Sequence, residues 1–130
     1  MGLDSSSTEN ARSQAPSMKP LLTNVTIKYF PMLGKADPLV QLCEYIGQPY
    51  DKIDITQEEW VVIRQTGQAR EFESLPIIVI ENKGRTAEMS QFVAVLRCFG
   101  IRYGFYNARD WRQSLLIDPI IETWLDILVA

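Results

Sequence analysis

TIKYFPMLGKADPLVQLCEYIG, Thr26 to Gly47, changes its period halfway along. Taken with Val25, its first part, VTIKYF over 25–30, alternates and is β-branched or aromatic, as a half-buried strand requires. Asp37 followed by Pro38 signals a helix start: the carboxylate can cap free amides, and proline at the first helical position gives up a donor with no intrahelical partner. Leu39, Leu42, Cys43 and Ile46 then recur at spacings of three and four, and Gly47 with Pro49 ends the helix. The opening unit is strand, loop, helix, with a phenol, Tyr29, at the junction.

Working outward, Tyr50 to Ile55 reads as a second strand and Glu58 to Arg64 as a short helix around Trp60, followed by an irregular stretch through Gly67. LPIIVI over 75–80 is a continuous apolar strand, NKG over 82–84 a hairpin signal, and Arg85 to Met89 a short returning strand. Ser90 can cap a helix whose Phe92, Val93, Val95, Leu96 and Phe99 form an inward stripe up to Gly100. A further helix, Asp110 to about Leu128, carries Trp111, Leu115, Ile117, Ile120, Ile121, Trp124, Leu125 and Leu128. The order is βαβαββα plus one helix, an α/β domain.

At 130 residues, 46% apolar and 22% charged, the chain can bury one real core but not two. A formal charge of -3, with Lys and Arg scattered, argues against nucleic acid. No apolar run approaches the roughly 20 residues of a bilayer span, so a soluble, cytoplasmic chain is expected. Histidine is absent, which excludes Ser-His-Asp and Cys-His nucleophiles and imidazole-rich metal sites, and no metal is expected. Cys43 and Cys98 lie far apart, each on the apolar side of its helix, and read as reduced core residues. Residues 1–24 are rich in Ser and Pro, lack a hydrophobic period and read as a disordered tail. The tail opens MGLDSS, which fits the M-G-x-x-x-S/T acylation pattern at Gly2; a membrane is a partner only if Gly2 is acylated.

The element order, with a proline opening the third strand, resembles a thioredoxin-like fold. KYF over 28–30, Gly34 and Lys35, the helix end EYIG over 44–47, EEW over 58–60, Leu75 and Pro76, Gln91 and VLR over 95–97 fall in the order seen in glutathione transferases. They look most like the sigma class and its relatives. The similarity runs from about Thr26 to the end. It implies a thioredoxin-like glutathione-binding domain over 25–106 and, over 107–130, the first helix of an all-helical domain cut short at Ala130.

The resemblance also implies roles. Free cysteine has a pKa of about 8.5, so near neutral pH little of glutathione's thiol is the reactive thiolate. Tyr29 stands at the family's catalytic tyrosine, whose hydroxyl donates a hydrogen bond to that thiolate; the alternative is a strand-end ring with a wetted hydroxyl. Lys35 matches a basic residue near the phenol, or is an exposed loop lysine. Leu75 and Pro76 match the cis-proline step, whose preceding main chain pairs with the ligand backbone like an added strand. Trp60 and Arg64 match the Trp and basic residue at the glycine end, with Arg64 able to pair with a carboxylate; the alternative is one buried aromatic and one solvated charge.

The sequence departs from the family pattern at the start of the helix after the hairpin. Gln91 matches a family Gln, but the following residue, a Ser that holds the γ-glutamyl carboxylate, is here Phe92; a one-residue shift would bring Ser90 to that place instead. Asp118 and Glu122 match an acidic pair of the last helix, whose apolar face implies a cover: a homodimer partner or another protein docked on 110–128. Two functions follow. One is a glutathione transferase that activates glutathione through Tyr29 for conjugation to an electrophile, as in detoxification. The other is a pseudoenzyme, an interaction or structural module of the same fold in a larger assembly.

Overall fold

The computed structural model of the chain describes residues 20–68 and 73–129. The MGLDSS motif with Gly2, and the tail as far as residue 19, lie outside the described residues. Four strands and four helices follow in the expected order: β1 (Asn24–Tyr29), α1 (Asp37–Ile46), β2 (Tyr50–Asp54), α2 (Gln57–Gln65), β3 (Ile77–Asn82), β4 (Arg85–Met89), α3 (Phe92–Arg102) and α4 (Trp111–Val129). The sheet order is β2-β1-β3-β4. β1 runs parallel to β2 and antiparallel to β3, and β3 is antiparallel to β4, as in a thioredoxin-like α/β domain.

Alternation in β1 does what the sequence pattern requires. Val25, Ile27 and Tyr29 are buried while Thr26 and Lys28 on the other face are half-buried. The first face packs with Leu39 and Cys43 of α1, Ile78 of β3, and Val95 and Phe99 of α3. Burying each of the larger side chains contributes about 1.5–3 kcal/mol. α2 is tethered more loosely. It has no fully buried residue, and only Trp60 and Ile63 pack against the core.

The helix ends differ in detail from expectation. The N-cap of α1 is Ala36, and the Asp37 carboxylate reaches back to accept the Gly34 N–H at 2.7 Å, tying down the loop rather than the helix amides. Gly47, at φ 73°, closes α1 in the left-handed conformation that glycine adopts without penalty. α2 begins with a reciprocal capping box between Thr56 and Glu59. Ser90 does not cap α3: the N-cap is Gln91, left-handed at φ 70° and ψ 82°, and its side chain makes no cap bond. Cys98 is exposed, because the buried stripe of α3 runs through Phe92, Val95 and Phe99 and leaves its neighbour facing water.

A buried amide joins the segment before β1 to the rest. Gln48, 3% exposed, accepts the Leu22 N–H at 2.9 Å and the Tyr103 hydroxyl at 3.1 Å, and donates to the Leu22 carbonyl at 3.0 Å. Leu22 is thereby part of the core, although it precedes the first strand. Every polar atom of that amide is matched, which removes the penalty of its burial.

α4 is fastened to α3 by polar contacts. Arg97 Nη2 lies 3.1 Å from Asp118 Oδ2, and the Tyr106 hydroxyl donates to Asp118 Oδ1 at 3.1 Å. Desolvation lowers the Arg97 pKa, but its bonds to Tyr106 and Asp118 outweigh this and hold the guanidinium above its ordinary value. Ile117, Ile121, Trp124 and Leu125 are half-buried, whereas Trp111, Leu115 and Ile120 of the expected apolar stripe are exposed at 65%, 62% and 70%. Among the described residues no helix is long and apolar enough to cross a membrane.

Candidate functional site

Register brings several of the candidate residues to one end of the sheet. Lys28 of β1 faces Ile77 of β3, so Tyr29 at the end of β1 comes beside Pro76. Ile78 faces Met89 of β4, so the chain leaving β4 through Ser90 and Gln91 emerges at the same end. The Ile55 N–H donates to the Tyr29 carbonyl at 2.7 Å, which brings the approach to α2 there as well.

Tyr29 is 7% exposed, with its ring tilted against Phe30 at a centroid distance of 5.6 Å. Its phenol oxygen accepts the Lys35 N–H at 3.3 Å. Gly34 lies so close that a Cβ there would stand 2.7 Å from that oxygen. The β1–α1 loop is thus folded over the hydroxyl, held by the Asp37–Gly34 bond. Among the described residues the hydroxyl proton has no acceptor. An amide donating to the oxygen polarises the O–H toward donation, which is what stabilising an incoming anion needs. Lys35 therefore meets the phenol through its main chain, while its side chain is half-buried.

The Leu75–Pro76 peptide is cis, and both residues are buried. The β1–β3 ladder starts at Ile77, and the Leu75 main chain makes no hydrogen bond to another described residue. It can pair with an extended ligand backbone. Trp60 packs on the core cluster to which Tyr29 belongs. Arg64, one turn further, is drawn elsewhere: its Nε is 3.8 Å from Glu73 Oε2, both side chains about half exposed, in an open cleft with Val61 and Gln65. Glu73 itself is left-handed at φ 40°.

At the start of α3, Gln91 is the cap and Phe92 the first helical residue, so Ser90 precedes both. Phe92 is 5% exposed, its ring set edge-on against Trp124 of α4 at 5.7 Å. Where the resemblance implies a hydroxyl, an aromatic side chain is built into the α3–α4 packing. Sequence reading missed this contact, the Glu73 partner of Arg64 and the closeness of Gly34 to the phenol. Each joins residues with no local signal, although Gly34 does stand in the quoted motif. Among the described residues no three or more acidic or cysteine side chains gather as a metal would need.

No family model matches the chain. It is similar to a glutathione S-transferase of Anopheles gambiae, 29% identical over 97 residues, which cover 75% of this chain and 44% of that protein. It is also similar to glutathione S-transferase S1 of Drosophila melanogaster, 25% identical over 105 residues, covering 81% of this chain and 39% of that protein. Among solved structures it resembles a Nu-class glutathione transferase from Haemonchus contortus, with a TM-score of 0.62 and 24% identity over 81% of this chain and 48% of that one. Prostaglandin synthase D of Nilaparvata lugens superposes with a TM-score of 0.61 and 25% identity, over 79% of this chain and 48% of that one. The chain thus spans less than half the length of these relatives. In sequence and in fold alike, the chain is similar to glutathione transferases.

Proposed function

We propose that this chain binds glutathione at the sheet end around Tyr29 and activates its thiol for conjugation to an electrophile. The supporting observation is the phenol itself: a buried ring whose oxygen receives the Lys35 N–H and whose own proton meets no acceptor among the described residues, beside a Leu75 main chain with no hydrogen bond to another described residue. Tyr29 would donate to the sulfur anion and favour thiolate over thiol. Leu75, next to Pro76, would hold the cysteinyl backbone, Trp60 and Arg64 the glycine end, and Ser90 and Gln91 the γ-glutamyl end. Arg64 would exchange Glu73 for the ligand carboxylate, a small cost for a pair so exposed. The similarity to named glutathione S-transferases supports the substrate.

A second reading, a non-catalytic module that docks another subunit on α4, is favoured by Phe92 and by the exposed apolar face of that helix. Calorimetric titration with glutathione, combined with thiolate ultraviolet absorbance, separates the two. The transferase reading expects saturable micromolar-to-millimolar binding, about -8 to -4 kcal/mol. Tyr29→Phe is then expected to retain binding and lose the thiolate absorbance. Absence of binding, or thiolate absorbance equal in Tyr29→Phe and the native chain, refutes it.

A further inference from the structure

We infer that Asp37 is a positioning residue for the Tyr29 phenol: by gripping Gly34 at both its amide and its carbonyl, it fixes the Lys35 amide against the phenol oxygen and sets which way the hydroxyl donates. The inference rests on the thiolate-stabilising reading of Tyr29 above.

Two bonds run between Asp37 and Gly34. The Gly34 N–H donates to Asp37 Oδ2 at 2.7 Å, and the Asp37 N–H donates to the Gly34 carbonyl at 3.1 Å. The second closes a tight turn from Gly34 to Asp37, and the first ties the start of that turn to the Asp37 side chain. Together they fix the plane of the Gly34–Lys35 peptide, and with it the direction of the Lys35 N–H that meets the phenol oxygen at 3.3 Å. Asp37 is itself held. It opens α1 directly after Ala36, which is 1% exposed and whose carbonyl accepts the Val40 N–H at 3.1 Å. Leu39 and Cys43 of the same helix are buried in the core cluster that also takes Tyr29. The phenol oxygen is thus fixed from β1 through its own ring and from α1 through Asp37, Gly34 and Lys35.

A hydroxyl proton turns to suit its partners, and an amide fixed on one side of the oxygen confines the proton to the other. The same amide polarises the O–H toward donation. Removing the grip leaves the turn but frees its peptide plane to tilt, and losing one neutral bond of this kind changes a population by about twofold to tenfold. The Asp37 charge acts in the opposite sense. A carboxylate near a thiolate disfavours the anion, so removing charge alone would lower the pKa of the bound thiol. An acid that only stabilised the first turn of α1 would change unfolding and leave the thiol as it was.

The experiment follows the ultraviolet absorbance of the thiolate, with the intact chain saturated by glutathione, as pH is varied. Asp37→Ala is expected to raise the apparent pKa of the bound thiol by about 0.3 to 1, a twofold to tenfold loss of thiolate. Asp37→Asn, whose carboxamide oxygen can still accept the Gly34 N–H, is expected to bring that pKa back to the native value or below it. In the Tyr29→Phe background, Asp37→Ala is expected to add nothing. If the native chain shows the thiolate and Asp37→Ala leaves its pKa unchanged or lowers it, the inference is overturned and the reading of Tyr29 stands. A rise as large in Asp37→Asn, or as large in the Tyr29→Phe background, also overturns it. If the native chain shows no thiolate, the reading of Tyr29 falls and the inference with it. Should Asp37→Ala not fold, amide hydrogen exchange on the native chain decides. Gly34 and Lys35 are then expected to exchange at least about tenfold more slowly than in an unstructured peptide, and exchange at the peptide rate overturns the grip.

Discussion

Replacing Gly34 by alanine places a methyl group 2.7 Å from the Tyr29 phenol oxygen and 3.4 Å from its Cε2 and Cζ. The ring contacts are ordinary, but the oxygen contact is about half an ångström too short for carbon against oxygen, so something must move. The phenol is the far end of a rigid ring, 7% exposed on a central strand, and cannot swing aside alone. Gly34 is held in turn by the Asp37 carboxylate at 2.7 Å. Overpacking of this kind costs about 1–3 kcal/mol. The same shift would stretch the 3.3 Å bond from Lys35 N–H to the phenol oxygen. Gly34 has no left-handed φ to forfeit, so the backbone tolerates alanine, and restricting the unfolded chain returns about 0.4–1 kcal/mol. The test is a double-mutant cycle by urea denaturation. Gly34→Ala in the native background is expected to cost roughly 1–2 kcal/mol net; in Tyr29→Phe, which lacks the oxygen, it is expected to be neutral or slightly stabilising. Costs that are equal in the two backgrounds would refute the close approach and, with it, the clamped phenol.

Gln48→Leu leaves the Leu22 main chain and the buried Tyr103 hydroxyl without their partner, and should destabilise the chain by about 2–4 kcal/mol; a loss below about 1 kcal/mol in denaturant titration would show that the amide is dispensable. Burial, and secondarily the nearby Glu44, push the Cys43 thiol from 9.0 up to about 11. The unfolded chain therefore releases this proton first as pH rises. The folded state loses stability between about pH 9 and 11 by roughly 1–2 kcal/mol, and Cys43→Ser, whose hydroxyl does not ionise there, should remove that part of the pH slope. In an aromatic-disulfide titration the exposed Cys98 should react at once and Cys43 only on unfolding; two equally fast thiols would contradict the burial.

Much of the architecture was legible because it is local. Strand alternation in VTIKYF, the three-and-four spacing of Leu39, Leu42, Cys43 and Ile46, the NKG hairpin and the glycine stop at Gly47 all act within a few residues. β4 falls at Arg85–Met89 as read, and the cis peptide falls at the expected Leu75–Pro76. Element ends drifted by one or two residues, since caps depend on backbone angles. The left-handed Gln91 has no side-chain signature, and Ser90 beside it carries a false one. Likewise, the period of α3 marks a stripe but not how far the burial extends around the helix, so Cys98 was misplaced.

Sequence alone therefore settled the order of elements and the α/β class, because short-range sterics and the alternation of apolar side chains leave few alternatives. Only the tertiary structure decided what the candidate site residues do to one another. The Lys35 amide on the Tyr29 oxygen, the Gly34 contact, the drawing of Arg64 toward Glu73 and the locking of Phe92 onto Trp124 each depend on where separate elements come to rest. Such contacts arise from the packing of whole surfaces, and no window of sequence contains both partners together with the geometry that joins them.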